Sequence, residues 1–192
     1  MKTLNRQRVA KTTGMDNHTS IKPAVPVEHI NIENLKVESK ARPLHKIVMD
    51  DLPELPYAVE EAVNRLRVNI SFLGSDIKTI MVTSTMPNEG KSFVSLHLWR
   101  QLAEAGVPSA FVDLDLRKSV MVEKYNIHRE DQEKMQGTSY YLANKIALSE
   151  VVYQSQVSNG YIIPNVDNVI NPSMLLESER FKSMLAQMKN VF

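Results

Sequence analysis

The stretch TIMVTSTMPNEGKS at residues 79–92 decides the fold of this chain. Its opening run at 79–83 is apolar and β-branched, a pattern typical of a strand buried in a parallel sheet. A turn follows and ends on GKS at 90–92, which has the spacing of a phosphate-binding loop, with Thr85 where glycine or alanine is usual. The stretch therefore predicts a strand, a loop that binds polyphosphate, and a helix.

Hydrophobic patterns on both sides of the loop predict further elements. Apolar residues recur every three or four positions from Ala58 to near Gly74, which indicates an amphipathic helix. A second helix is predicted from Lys91 to just before Gly106, because glycine is favoured just past a helix end. The run SAFVD at 109–113 indicates a second buried strand. This order predicts a right-handed βαβ unit and hence an α/β fold, with a P-loop NTPase-like parallel sheet flanked by helices.

By composition the chain divides into a leader and a domain. Residues 1–52 carry prolines and scattered charges without a sustained hydrophobic period, which indicates a flexible basic and polar leader with one short edge strand at 45–49. Residues 53–192 are predicted to form the nucleotide-binding domain. Its remaining predicted elements are a mostly helical segment at 120–158, a third strand at 161–164 and a helix from Asn171 toward Phe192.

Composition excludes several classes of protein. Lys and Arg number 23 against 22 Asp and Glu, a net charge of +1, so the chain has no overall field for binding nucleic acid. The sequence has no cysteine, which excludes disulfides, thiolate metal sites and cysteine nucleophiles, and is in keeping with a cytoplasmic protein. No run approaches the ~20 apolar residues that span a bilayer, so membrane contact is expected only at the surface or through a partner.

The predicted loop carries the groups that bind a nucleotide. Main-chain N–H groups and the positive end of the following helix would meet the charge of a polyphosphate, and Gly90 lets the backbone approach closely. Asn88 stands where a second glycine is common, and asparagine tolerates a left-handed conformation. The alternative is a chance GKS in a turn, which the placement between a strand and a helix disfavours. The residues predicted to bind nucleotide are Thr85, Met86, Pro87, Asn88, Glu89, Gly90, Lys91, Ser92 and Phe93.

Two acids follow the second predicted strand, in the run FVDLDLR at 111–117. Parallel sheets bind ligands at the carboxyl ends of their strands, and residues two apart on a strand point the same way. Asp113 and Asp115 could therefore face the phosphate site together, where carboxylates suit a hydrated Mg²⁺ and a base for an incoming hydroxyl. The alternative is a solvated strand end with a turn-forming aspartate.

Four segments together resemble the bacterial tyrosine kinases of capsular and exopolysaccharide synthesis. Their order along the chain is the order of the family's motifs, which makes the resemblance more specific than one phosphate loop. The segments are EAVNRLRVNI at 61–70, the phosphate-loop stretch at 79–92, VDLDLR at 112–117 and NPSMLLESERF at 171–181.

The resemblance implies a transferase that uses ATP and Mg²⁺ to phosphorylate itself on tyrosines. By motif position, Lys91 would contact the phosphates and Ser92 would bind the metal, while Asp113 and Asp115 would share the metal and base roles. Asp115 is taken as a metal ligand beside Ser92, although the motif does not settle which aspartate plays which part. The resemblance also implies activation by a membrane adaptor that regulates polysaccharide chain length, and a place at the inner face of the cell membrane.

Three departures from the family pattern stand out. The chain stops at Phe192, before the family's third acidic motif and tyrosine tail, so we expect an incomplete sheet and little kinase activity. Asn64 replaces the first arginine of the helix motif that the family uses for ring assembly, which leaves Glu61 and Arg67 and weakens the expectation of a homo-oligomer. Phe93 stands where a small polar residue is usual.

Two other functions stay open on the sequence alone. One is a non-catalytic, truncated relative that acts as an interaction or regulatory protein. The other is a partitioning ATPase of the Min and Par kind, although Met86 stands where those proteins usually carry a lysine. The pair Tyr140 and Tyr141 is interpreted as helix packing in preference to phosphate acceptors.

Overall fold

The structure is a computed structural model that describes residues 44–143 and 145–192. Its strands are β1 (Ile47–Met49), β2 (Ser109–Val112), β3 (Ile127–Arg129), β4 (Tyr153–Gln154) and β5 (Gly160–Ile163). Its α-helices are α1 (Tyr57–Ser71), α2 (Lys91–Glu104), α3 (Met121–Lys124), α4 (Thr138–Leu142), α5 (Pro172–Leu176) and α6 (Glu179–Val191). No helix in these ranges is both long and apolar enough to cross a membrane.

A parallel pair of strands lies at the centre of the fold. β2 runs parallel to β5, with Ser109 opposite Gly160 and Val112 opposite Ile163, and β4 pairs antiparallel with the other side of β5. These two apolar strands were predicted from the sequence, and the parallel sheet of an α/β fold is confirmed.

The short strand predicted at 45–49 is present as β1. It pairs antiparallel with β3, and Ile47 and Met49 are buried in the same core cluster as residues of α2 and β5. Part of the segment predicted as a leader thus packs with the folded residues. Residues 1–43 of that predicted leader lie outside the described residues.

Helix α2 packs on β2 and β5 through its single tryptophan. The indole N–H of Trp99 donates a hydrogen bond to the main-chain oxygen of Ser109 at 3.1 Å. The ring covers Gly160 so closely that a Cβ there would lie 2.7 Å from Trp99 Cζ2. Only glycine fits at this position of β5, because any side chain would push the helix off the sheet.

The strand predicted at 79–83 is not formed, and this prediction is wrong. Every residue from 71 to 83 is exposed, with Met81 83% exposed. Within the described residues, no main-chain hydrogen bond joins 79–83 to another segment. A β-branched run becomes a strand only beside a partner strand, and the parallel pair that the structure contains is β2 with β5. The predicted βαβ unit therefore lacks its first strand here.

The prediction that 120–158 is mostly helical is also wrong. The segment contains two very short α-helices, α3 and α4, a three-residue 3-10 helix at Leu148–Glu150, and strands β3 and β4. Its apolar residues pair and pack with β1 and β5, so tertiary contacts decide its local structure over its helix propensity.

The helix predicted from Asn171 toward Phe192 is present as two helices. The chain leaves α5 after Leu176 and re-enters a helix at Glu179. Ser178 between them has extended backbone angles, and its Oγ accepts a hydrogen bond from the N–H of Phe181 at 3.2 Å. A serine side chain that caps a new helix competes with continuation of the old one, which accounts for the break.

Candidate functional site

The predicted phosphate loop is a compact turn that leads directly into α2. Gly90 is the residue before the helix and has φ 90°, and Asn88 has φ 63°, so both are left-handed. A Cβ at Gly90 would meet no atom within 4 Å, so glycine is needed there for its backbone angle and not for space. The sequence reasoning about Asn88 and Gly90 is confirmed in their conformation.

The exposed Glu89 carboxylate bridges the two ends of the loop by hydrogen bonds. Glu89 Oε2 accepts a hydrogen bond from the main-chain N–H of Met86 at 3.1 Å and a longer one from Thr85 Oγ1 at 3.5 Å. Ser84 Oγ donates to the main-chain oxygen of the same residue, Met86, at 2.9 Å. The Met86 N–H, which is one of the groups predicted to face a nucleotide, thus already bonds to an anionic oxygen. The loop has the donor geometry for an anion.

The first turn of α2 holds the three side chains that follow the glycine. Lys91, Ser92 and Phe93 are half-buried, and Ser95 Oγ donates to the main-chain oxygen of Lys91 at 2.7 Å. Among the described residues, no ion pair or hydrogen bond engages the Lys91 ammonium. The helix therefore presents a hydroxyl and an unpaired cation beside the loop.

Phe93 has a structural role that the sequence did not reveal. Its ring contacts the His97 ring edge-on, with centroids 4.5 Å apart. His97 is 1% exposed and neither ring nitrogen has a hydrogen-bond partner. Burial, helped by the charges of Arg100 and Lys124, lowers the pKa of His97, so the imidazole is held neutral. Phe93 thus packs against a buried, neutral histidine one turn later in the same helix.

Asp113 lies at the carboxyl end of β2 and is 6% exposed. Its Oδ1 accepts the N–H of Asp115 at 3.0 Å, and its Oδ2 accepts a short hydrogen bond from the Ser119 hydroxyl. Burial raises the pKa of Asp113, and these hydrogen bonds oppose that rise only in part. Asp113 is therefore a buried organiser of the turn that follows β2.

Asp115 is the more accessible acid of the pair. It is half-buried, and its Oδ1 accepts the N–H of Lys118 at 3.1 Å. Its main-chain oxygen accepts a hydrogen bond from Asn165 Nδ2 at 3.2 Å. Asn165 follows β5, is 2% exposed, and its Oδ1 is buried without a partner. Sequence reasoning missed Asn165, although a polar residue just after an apolar strand was an available signal.

The loop and the acid pair lie at the same edge of the sheet. The later half of α2 contacts the beginning of β2, through Trp99 and Ser109, and the chain reverses at Gly106. Helix and strand therefore run in opposite directions, which puts the start of α2 and the end of β2 on one side. Within the described residues, no hydrogen bond or ion pair joins 85–92 to Asp113 or Asp115.

The donor set at this edge suits a hard divalent cation. It consists of two oxygen donors on half-buried residues, the Ser92 hydroxyl and the Asp115 carboxylate. Among the described residues there is no group of three or more acidic, histidine or cysteine side chains that could hold a metal by themselves. Mg²⁺ commonly takes one or two carboxylates together with water and phosphate oxygens, so these residues fit it.

The residues predicted for oligomerisation lie on α1. The Arg67 guanidinium donates two hydrogen bonds to Asn64 Oδ1 within the helix, from Nε at 3.2 Å and from Nη2 at 2.8 Å. Glu61 lies one turn earlier and is half-buried. Asn64, which stands where the family motif has arginine, therefore binds Arg67 within its own helix.

The chain is similar to known tyrosine kinases in sequence. It is 32% identical over 133 residues to the tyrosine-protein kinase CpsD of Streptococcus agalactiae, a match that covers 69% of this chain and 56% of that protein. It is 30% identical over 127 residues to the tyrosine-protein kinase etk of Escherichia coli, which covers 65% of this chain and 17% of that protein. The chain thus spans about half the length of its streptococcal relatives. No family model matches the sequence.

The fold is similar to solved kinase domains. The kinase domain of Escherichia coli tyrosine kinase ETK matches with a TM-score of 0.61 and 28% identity, over 68% of this chain and 50% of that one. The BceF tyrosine kinase domain matches with a TM-score of 0.62 at 23% identity, over 83% of this chain and 64% of that one, and supports the fold alone. These neighbours confirm the predicted P-loop NTPase-like α/β class.

Proposed function

Because this chain belongs to the bacterial tyrosine kinases of capsular and exopolysaccharide synthesis, we propose that it binds Mg²⁺ and ATP through residues 85–93 and forms the nucleotide-binding part of a protein-tyrosine autokinase. The observation that carries the proposal is the left-handed Gly90 directly before α2. That conformation turns the chain into the helix, so the loop and the first turn offer N–H groups to phosphate oxygens.

Lys91 and Ser92 follow the glycine on the first turn of α2, in a position to act on the same ligand. Because the Lys91 ammonium has no partner among the described residues, it is available to the β- and γ-phosphates. The Glu89 carboxylate now bonded to the Met86 N–H would give up that donor to a phosphate oxygen. The bound phosphate would then lie at the positive end of a 14-residue helix, where negative charge is favoured.

The two aspartates divide their roles by exposure. We assign Asp115 to the metal with Ser92, because Asp115 is half-buried and reachable. When bound there, Mg²⁺ would neutralise charge on the phosphate oxygens. Asp113 is buried and holds the turn through Asp115 and Ser119, so it would act as the base for a tyrosine hydroxyl only where that hydroxyl replaces the Ser119 hydroxyl at Oδ2; its raised pKa is in the direction that suits this role.

The setting of the protein is proposed from its relatives. We propose that it works at the inner face of the membrane through a membrane adaptor of the polysaccharide-export machinery, and not with nucleic acid. Self-assembly through Glu61 and Arg67 is expected to be weak, because the Arg67 guanidinium already donates hydrogen bonds to Asn64 in its own helix.

Calorimetry with Mg²⁺–ADP tests the proposed binding site. Lys91→Met should reduce binding below detection, since it removes the cation beside the phosphates. Lys182→Met is the matched control, because Lys182 is exposed on α6 and, among the described residues, its ion pair is with Glu179 in the same helix. Equal nucleotide affinity in the wild-type chain and in Lys91→Met would contradict the proposal.

A further inference from the structure

The tyrosines of this chain differ sharply in exposure. All six lie in the described ranges, and Tyr57 is 78% exposed. Three others, Tyr125, Tyr141 and Tyr153, are at most 3% exposed. Tyr140 and Tyr161 are half-buried. Tyr57 is thus the single tyrosine among the described residues whose ring stands mainly in solvent.

Ring contacts and hydrogen bonds hold other tyrosines in place. The Tyr153 hydroxyl donates to the main-chain oxygen of Gln136 at 3.1 Å and accepts the Gln136 N–H at 2.8 Å. The Arg180 guanidinium covers the Tyr141 ring at 4.2 Å, which confirms the packing interpretation of that residue.

The two half-buried rings are also engaged. The Lys145 ammonium lies 5.0 Å from the Tyr140 ring, and the Tyr161 ring lies 5.2 Å from the Phe192 ring. A kinase can phosphorylate a tyrosine only when the side chain extends from its own protein far enough for the hydroxyl to enter the active site of the kinase. The rings in these contacts would first have to be pulled out.

The surroundings of Tyr57 suit docking into another protein. It is the first residue of α1, and the five residues before it, 52–56, form no helix or strand. Exposed Glu54 and Glu60 lie three residues before and after it. Leu52 packs against the core, but Pro53, Glu54 and Pro56 are exposed, so the acceptor stands at the end of an irregular, partly exposed segment with acidic flanks.

We propose that Tyr57 is a phosphate acceptor, modified in trans by a tyrosine kinase of this chain's own family. The reaction forms a bond between Tyr57 Oη and the γ-phosphorus of ATP and breaks the bond from that phosphorus to the bridging oxygen. ADP leaves, and the hydroxyl proton passes to a carboxylate of the kinase. The proposal rests on the proposed function only where a second copy of this chain is the kinase.

Charge complementarity supports a family member as the kinase. In this chain the turn after Asp115 continues into exposed Arg117 and Lys118. A second copy would therefore offer two cations beside its proposed transfer site to the acids that flank Tyr57. Complementary charges of this kind steer encounter and fix the register of docking.

The product is compatible with the fold. Phosphate on Tyr57 adds nearly two negative charges at the start of a 15-residue helix, where the helix dipole favours them. The Pro56 cap forms no side-chain hydrogen bond, so the modification displaces no cap. Repulsion from Glu60 opposes this effect but is screened by solvent, because Glu60 is exposed.

Phosphate mapping in two reactions tests the proposal. In the first, the full chain is incubated with Mg²⁺ and ATP alone. In the second, a separate bacterial tyrosine kinase, verified on a glutamate–tyrosine copolymer, is added. Peptides of this chain are then mapped by tandem mass spectrometry. We expect the second reaction to place phosphate on Tyr57, Tyr57→Phe to lose most of it, and the control Tyr140→Phe to keep it.

The outcomes separate this proposal from the proposed function. Phosphate on Tyr57 in the second reaction only would support the acceptor and count against autokinase activity. Phosphate mainly on Tyr140 or Tyr161, or no phosphotyrosine from this chain in the second reaction, would overturn the proposal. Both substitutions remove one hydroxyl, and equal melting temperatures of the variants would show that folding does not explain the loss.

Discussion

The side-chain amide of Asn165 donates a hydrogen bond to the main-chain oxygen of Asp115 at 3.2 Å, so the end of β5 holds the turn that follows β2. The bond connects neighbouring parallel strands just beyond their ladder, at the edge where the phosphate loop also lies. The position of the acid pair therefore depends on a buried amide that is remote from it in sequence.

Asn165→Ala is expected to lower the free energy of unfolding by about 1 kcal/mol, because a part-buried hydrogen bond is lost and the Asp115 carbonyl is left without this partner. Urea denaturation measures the change. Asn168→Ala is the control, since Asn168 is exposed three residues later and should change the free energy by less than about 0.5 kcal/mol. Equal effects of the two substitutions would mean that the Asn165 bond contributes nothing.

Asp113→Asn should change how stability depends on pH. Burial raises the pKa of Asp113 in the folded chain, so folding favours the protonated carboxyl. The stabilisation from that proton is complete below the unfolded pKa and is lost as pH rises through the folded pKa. Asparagine stays neutral, so the variant should gain stability relative to wild type between pH 4 and pH 7, as measured by urea denaturation. A difference that stays flat over this range would contradict the inferred pKa shift.

Gly90→Ala and Gly106→Ala form a matched pair. Both glycines are left-handed, with φ 90° and 84°, and a Cβ at either would meet no atom within 4 Å. Each alanine is therefore expected to cost about 1 kcal/mol of stability from backbone strain. Only Gly90→Ala should also weaken Mg²⁺–ADP binding in calorimetry, because only Gly90 shapes the phosphate loop. Equal nucleotide affinity in the two variants would show that the left-handed conformation of Gly90 is not needed for nucleotide binding.

Asn64→Arg should release Arg67 and promote self-association. The substitution removes the acceptor of both Arg67 hydrogen bonds and introduces the arginine that the resemblance implies at this position of the helix motif. Sedimentation velocity over a range of concentrations measures the effect. Asn69→Arg adds the same charge at an exposed position of α1 and should leave the chain's association unchanged. Identical sedimentation of the two variants would rule out a role of Asn64 in assembly.

Local sequence predicted the elements that local forces determine. Helix α2 and its end at Gly106 followed from spacing and from a glycine with positive φ, and β2 and β5 followed from short apolar runs. The run at 79–83 looks the same in sequence, yet a strand also needs a neighbour, and periodicity carries no information about neighbours. The phosphate loop was predictable for the same reason as α2.

Other parts of the site depend on contacts between distant residues. Asn165 meets Asp115 across 50 positions of sequence, and no motif connects them. The Ser178 cap that divides the last two helices is a local signal, but it competes with an equally local helical pattern. The burial of Asp113, and hence its pKa, follows from packing that the run VDLDLR does not encode.

The contact of Trp99 with Gly160 and Ser109 gives the molecule an internal optical reporter. The sequence has one tryptophan, and it is 4% exposed against the central sheet. Its fluorescence emission should therefore be blue-shifted in the native chain and move to the red only when α2 separates from β2 and β5. The phosphate loop precedes the first residue of α2, whereas Trp99 lies in the later half of that helix. A variant that loses nucleotide affinity but keeps native emission therefore has a damaged loop in an intact fold.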